Sequence, residues 1–501
     1  MPPITEEHVV DSIADALQFI ACYHPPDFVA AMREAHEREE SPGARNAIAQ
    51  ILVNSRLCAL GHRPICQDTG VANITVEIGV EAPIAWKRPL QAIADEAVRR
   101  AYRLDRNPLR ASLVDEPLGA RRNTGDNTPA MVTVEMVAGE RVGITVSAKG
   151  GGSENKTKFA VLNPADDVAD WVVRMVESLG AGWCPPGILG IGVGGSVDKA
   201  MSLAKQALND PIDIHDLRDR GPRDRVEEIR LDIHERVNAL GIGAQGLGGL
   251  TTVLDVKIRQ FPTHAASLPV ALVPNCAATR HVHFTLDGSG PAAFDPPDLS
   301  LWPEVALEQA AAAAKRIDLD ALDDATLAAL EPGETLLLSG TLFTGRDAAH
   351  KRMVEALDRG EGLPVDLRGK AIYYVGPVDP VGDEVIGPAG PTTATRMDRF
   401  TDRLLAGTGL RAMIGKAERD PEAIEAIRRH GAVYMIAVGG AAFLVSKAIR
   451  EAEPVAYREL GMEAVYRLRV EDMPVTVAVD TEGRSIHEMG PRAWRRVPAL
   501  A

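Results

Sequence analysis

Cysteine is scarce in this chain, with five residues (Cys22, Cys58, Cys66, Cys184 and Cys276) among 501. That is too sparse for a disulfide scaffold, and the odd count suits a reducing compartment. Cys66, Cys184 and Cys276 have no CxxC or CxxH partner, the short-spaced pair common in structural zinc sites. Long apolar runs are also missing. None reaches the roughly 18 residues of a membrane-crossing helix. Met1–His8 has no basic segment ahead of an apolar core, so no signal or transit peptide is expected and a cytoplasmic location is. Positive charge is in deficit, and the net charge is −15. This argues against a nucleic-acid partner. It leaves room for a small anionic ligand, because a few Arg and Lys side chains can reverse the potential inside a cleft. No internal repeat or long low-complexity segment occurs.

What is present reads as an ordinary globular protein, 45% hydrophobic and 25% charged. Residues 5–60 read as helices, with Ile13, Ala16, Leu17 and Ile20 on one apolar face and Ala47, Ile48, Ile51, Leu52 and Ser55 on another. Residues 71–80 alternate as a strand, and 89–104 form an amphipathic helix. Residues 130–138 and 142–148 are expected to pair as strands, with a loop starting at Gly150. A helix over 168–179, a strand over 188–193 and a helix over 196–208 follow. Residues 285–300 have linker composition, and 304–316 read as an alanine-rich helix. Strands are expected at 334–338, 371–375, 433–438 and 474–479, with helices at 347–359, 396–406 and 421–430. The whole is expected to be α/β, with a boundary within 290–330.

A single cysteine is more often structural than a ligand. Cys22 and Cys58 lie on apolar helical patterns and read as core. Cys66 (Pro64-Ile65-Cys66-Gln67-Asp68-Thr69-Gly70), Cys184 (Trp183-Cys184-Pro185-Pro186-Gly187) and Cys276 (Pro274-Asn275-Cys276-Ala277-Ala278-Thr279-Arg280) differ, because each sits among turn residues. Three thiolates can hold three irons of a [4Fe–4S] cluster and leave the fourth open as a Lewis acid. A three-cysteine zinc site with a distant histidine is the rival.

Gly190-x-Gly192-x-x-Gly195 and Gly241-x-Gly243-x-x-Gly246 match a dinucleotide fingerprint on paper. In a chain with 45 glycines such matches arise easily; the first lacks the early βαβ context, and close backbone approach around Cys184 is its preferred reading. Arg346, Arg396 and Lys416 lie where apolar or glycine-rich stretches meet expected helix starts, a place where α/β proteins bind anions. Thr392 and Thr393 precede Arg396, and a helix cap is the plain reading of such a threonine. His264, His281 and His283 flank Cys276, where a lone histidine is more often structural.

Eight segments in order resemble the class I fumarases, the iron–sulfur fumarate hydratases, and the related L-tartrate dehydratases. They are ICQDTG (65–70), RRNTGDNTPA (121–130), AKGGGSENK (148–156), WCPPG (183–187), LPVALVPNCAATRHVHF (268–284), SGTLFTGRDAAHKRM (339–353), GPTTATRMD (390–398) and IGKA (414–417). The resemblance implies a mixed α+β cluster-binding domain (1–290), a linker (291–330) and a smaller swivelling α/β domain that binds substrate (331–501). It implies that Cys66, Cys184 and Cys276 hold a [4Fe–4S] cluster. Gln67, Arg110, Gly151, Arg346, Arg396 and Lys416 would bind the carboxylates of a small dicarboxylate. Thr392 would be the base, assisted by Asp68, with His264 beside the substrate. It implies a homodimer that hydrates fumarate reversibly to (S)-malate, with tartrate or mesaconate as rival substrates. A non-catalytic iron–sulfur carrier or sensor is the alternative of another class. A carrier would close its cluster with a fourth cysteine and have no use for Asp68, Thr392, Arg396 and Lys416.

Overall fold

The computed structural model describes residues 2–305 and 314–496. The expected alanine-rich helix falls mostly on 306–313, outside the described residues, and Lys315–Asp318 just after it is a strand. Three helices open the chain: Glu6–Cys22, Pro26–Arg38 and Pro42–Gly61. Thr5 starts the first with a capping box shared with His8. Ile13, Ala16, Leu17 and Ile20 are all buried, as their spacing requires. Cys22 and Cys58 are buried in helices, and burial pushes the Cys22 thiol up to about 12. Among the described residues, no helix is long and apolar enough to cross a membrane.

The fold is α/β, with mixed sheets. The first runs His281–Leu286, Val142–Lys149, Val71–Gly79, Met131–Val137. Ala72, Ile74 and Val76 are buried while Glu77 is exposed, the period of two expected of a half-covered strand. The sequence led us to expect that the strands at 131–137 and 142–149 pair with each other, and they do not. Val71–Gly79 lies between them, antiparallel to one and parallel to the other. The 137–141 connection spans this intervening strand, held by Gly79 N–H to Arg141 O and Val80 N–H to Val137 O.

The second sheet runs Lys158–Leu162, Leu268–Asn275, Gly187–Gly194, Val253–Phe261. Gly190 and Gly192 serve helix packing and not, as the sequence suggested, the Cys184 pocket, which Gly187 alone of this strand's glycines borders through Trp183 and Asn275 O. A Cβ on Gly190 would overlap Ala204 O, and one on Gly192 would overlap Ala200 O, both in the helix Val197–Ala207. The expected loop at Gly150 begins a four-residue helix, Gly151–Glu154.

The third sheet has seven strands. Lys315–Asp318, Thr335–Thr344, Ala371–Tyr373, Ala412–Gly415 and Val433–Ile436 are successively parallel. Val465–Val479 runs antiparallel to both Val433–Ile436 and Thr335–Thr344 and so closes a ring of five strands. Ile449–Ala456 pairs with its outer part. The helices Asp347–Asp358, Asp398–Thr408 and Pro421–Arg429 lie close to their expected places. The final helix, Ile486–Trp494, returns to the first half, where Arg496 N–H donates to Ala239 O and Arg495 meets Glu177.

Candidate active site

Three loops carry the three cysteines, and each is tied to its neighbours. The first leaves the helix Pro42–Gly61 through His62, whose φ of 50° turns the chain. Ile65 N–H then donates to Ala21 O, which seats Cys66. Cys184 itself has φ of 59°, a left-handed conformation uncommon outside glycine and most often found where a site fixes it. Cys276 follows the strand Leu268–Asn275, and its carbonyl accepts from Thr279 Oγ1 at 3.3 Å. Ala277 N–H donates to Cys184 O at 3.1 Å and joins the second and third loops. His24 holds Ala277 from behind, with Nε2 3.1 Å from its carbonyl and Nδ1 2.7 Å from Ser55 Oγ. Burial pushes His24 down to about 3, so it stays neutral.

The C-terminal half closes over these loops. Lys416, at the end of the strand Ala412–Gly415, donates from Nζ to Cys184 Sγ at 2.9 Å. The Gly439–Gly440 turn lies against Cys184 and Ala277. Two buried amides fasten it. Gln245 accepts from Gly439 N–H at 2.8 Å and donates to Pro185 O at 2.9 Å. Asn54 donates to Gly440 O and Ile65 O, and accepts from Phe443 and Leu444 N–H. One side chain thus ties the Cys184 loop to this turn, and the other ties the Cys66 loop to it.

The donor set fits an iron–sulfur cluster. All three cysteines are free. Burial pushes the Cys66 thiol up to about 11 against Arg280 and Lys416, and it raises Cys184 against Lys416. Cys276 adds to the rise in both, so all three sulfurs share one electrostatic pocket. Such thiols ionise when a metal replaces the proton. Among the described residues, no three His, Cys, Asp or Glu side chains gather on one point as a single ion requires.

A polar ring adjoins the thiols. Asp68 accepts from Gly151 N–H at 2.8 Å and Gly70 N–H at 3.2 Å. Burial pushes its carboxyl up, but Arg110, Arg280 and the Gly151 N–H outweigh this and hold it below the usual range. Gln67 donates to Pro391 O at 3.2 Å and accepts from Cys66, linking the thiol to the segment that bears Thr392. Thr392 is buried; its N–H donates to Tyr374 O and its carbonyl accepts from Lys416 N–H.

Arg110 and Arg346 converge on Gly376. Arg110 donates to its carbonyl, and a Cβ there would lie 2.5 Å from Arg346 Nη1 and 3.4 Å from Arg110 Nη1. Both Nε atoms are buried without a partner among the described residues. Burial lowers the pKa of Arg110; burial and then Arg110 push Arg346 down to about 10. Two such cations side by side form a site for an anion. Arg396 is paired with Asp347 and 42% exposed in its side chain. Lys416 loses by burial but gains more from the sulfurs of Cys184 and Cys66, and it stays protonated. The glycine run borders the ring at two positions, because a Cβ on Gly152 would lie 3.3 Å from Lys416 Nζ.

His264 stands apart. It is exposed, and its Nδ1 accepts from Ala266 N–H within its own turn. Sequence reasoning missed Arg280, Gln245, Asn54 and the Gly439–Gly440 turn. The glycine pair after an apolar strand was a readable signal. The two amides carried none.

The family model described as fumarate hydratase (fumerase) matches residues 10–285, and that of the fumarase C-terminus matches 288–490. The aerobic class I fumarate hydratase of Escherichia coli K12 is 32% identical over 518 residues, covering 96% of this chain and 91% of its own. The anaerobic class I enzyme of the same strain is 31% identical, covering 90% of this chain and 84% of its own. Fumarate hydratase 2 of Leishmania major is 31% identical, covering 92% and 83%.

Proposed function

This chain belongs to the fumarate hydratase family and is a hydro-lyase, and we propose that it converts fumarate and (S)-malate into one another with a [4Fe–4S] cluster held by Cys66, Cys184 and Cys276. The observation that carries this reading is the meeting of Arg110 and Arg346 at Gly376, in the same ring as three free thiols and Lys416. A dicarboxylate is the small ligand that matches paired cations next to a Lewis acid. In this reading the chain divides into a cluster-binding domain (1–290), a linker (291–330) and a substrate-binding domain (331–501).

Arg110 and Arg346 grip one carboxylate through planar, bidentate donors, which Lys could not replace. Lys416, Arg396 and Gln67 orient the other, while Gly151, whose N–H is taken by Asp68, lines the site beside them. When bound, the cluster supplies a Lewis acid at the iron without a cysteine and lowers the cost of hydroxide departure. Thr392 takes the proton from the carbon next to the far carboxylate, passing its own hydroxyl proton to ionised Asp68. The charge that develops on the carboxylate is stabilised by the surrounding cations, where loss of one donor costs about 2.7–4 kcal/mol. His264, exposed and bonded within its own turn, lies outside the ring that one chain assembles.

Five free cysteines suit a reducing cytoplasm. A homodimer is supported by the edge strand Met131–Val137, which exposes Met131, Val134 and Met136. The test of the reaction is anaerobic reconstitution followed by loss of the fumarate double bond in the ultraviolet, with tartrate and mesaconate in parallel. Fumarate is expected to react fastest. Preference for tartrate or mesaconate would contradict the substrate assignment, and a cluster-loaded protein inert to all three would point to a carrier or sensor.

A further inference from the structure

Arg280 touches no substrate in the reaction just described and enters it only through its charge beside Asp68, yet its surroundings are unusual for an arginine. It is 2% exposed, and its Nε and Nη1 are buried without a partner among the described residues. Apart from Arg110 and Arg346, whose Nε atoms are also unpartnered and face the site already described, the buried arginines are engaged. Arg63 donates to Glu384, Asn107 and the Asp379 carbonyl. Arg419 donates to Asp398 and Thr401. Arg230 donates to Val256 O, Asp213 and Asp255. Leaving a buried guanidinium unpaired is costly, and a native fold keeps one only where something else supplies the partner.

The backbone shows where this partner belongs. Arg280 follows Cys276 by four residues, and its carbonyl accepts from Ala148 N–H at 3.1 Å. Its Nη2 reaches Gly150, where a Cβ would lie 3.7 Å from Nη2 and 3.1 Å from Asp68 Oδ2. The side chain therefore starts beside the Cys276 loop and ends beside the loop of Cys66 and Asp68. Between those loops lies the pocket assigned to the cluster.

We propose that Arg280 is the built-in counter-cation of the cluster pocket, its Nε–H and Nη1–H donating to sulfur atoms of the bound cluster. The inference rests on the cluster reading above. A [4Fe–4S]2+ core with three thiolates is a net anion, and a cationic donor to its sulfurs stabilises the more negative, reduced state and raises the reduction potential. Arg280 is a positioning and tuning residue here and takes no proton in the reaction.

Arg280→Gln and Arg280→Lys test this with three readouts. The thermal midpoint of the cluster-free variants is expected to match or exceed that of the parent chain, because Nε and Nη1 have no hydrogen-bond partner among the described residues. A midpoint that falls in both variants would make Arg280 a structural residue and overturn the proposal. In an EPR-monitored reductive titration, the cluster midpoint is expected to become more negative in Arg280→Gln, with Arg280→Lys in between. Cluster loss to a chelator is expected to be faster in Arg280→Gln and slowed again in Arg280→Lys. An unchanged potential in fully loaded Arg280→Gln overturns the proposal, and so does equal loss of cluster from both variants. An unchanged potential with a raised KM for fumarate would reassign Arg280 to the substrate. A parent protein that takes up no cluster fails the underlying reading, and this is seen before any variant is made.

Discussion

Thr392→Ala is expected to lose about 10²–10⁴-fold in fumarate turnover, the usual contribution of a positioned base, while keeping the visible absorption of its cluster. The backbone at this position is fixed by Tyr374 and Lys416, so removing the hydroxyl should not displace the segment. Among the described residues the Thr392 hydroxyl has no hydrogen-bond partner, so its loss leaves no orphaned group behind. A threonine is a poor base unless something takes its proton. In the proposed reaction Asp68 takes it, and Arg110 and Arg280 hold the Asp68 carboxyl below its usual range. Thr392→Ser keeps the hydroxyl and should retain most of the activity. Turnover like the parent's in Thr392→Ala would remove this residue from the mechanism.

Gly439→Ala is expected to empty the site by steric means alone. The added Cβ would sit 2.5 Å from Cys184 Sγ and 3.1 Å from Gln245 Oε1. Neither neighbour can yield freely. Gln245 is buried and bonded to Gly439 N–H and Pro185 O, and Cys184 is held by Ala181 and Ala277. Overpacking of this kind costs about 1–3 kcal/mol, or about five- to 150-fold in cluster retention. Gly362→Ala is the control, since a Cβ there meets nothing within 4 Å. Iron content is the measurement. Full occupancy in Gly439→Ala would show that Cys184 Sγ does not face this turn when the cluster is bound.

These two residues also show what could be read in advance. Thr392 lies in a contiguous motif, and so do Cys66, Cys184 and Cys276; local sequence carries such signals whole. Helices such as Val168–Leu179 were equally legible, because their periodicity is local. The pairing of the strands at 131–137 and 142–149 was not, because the strand that separates them is contributed from residues 71–79. Gly190 and Gly192 signalled close approach, but only the fold could say that a helix makes it. Asn54 bonds across 386 residues to Gly440, and Gln245 across 194 to Gly439. An asparagine on an otherwise apolar helix face gives no hint of such a partner. Arg280 read as one more arginine beside Cys276, since burial without a counter-charge is a property of the folded chain alone.

The central claim is that fumarate hydration depends on a cluster held by these three thiols. It is tested most directly by following activity, iron and acid-labile sulfide together in one anaerobically reconstituted sample before and after exposure to air. The account predicts rapid fumarate hydration that rises with iron and sulfide loading and falls as air strips the open iron. Undiminished hydration in protein free of iron, after long exposure to air, would contradict it.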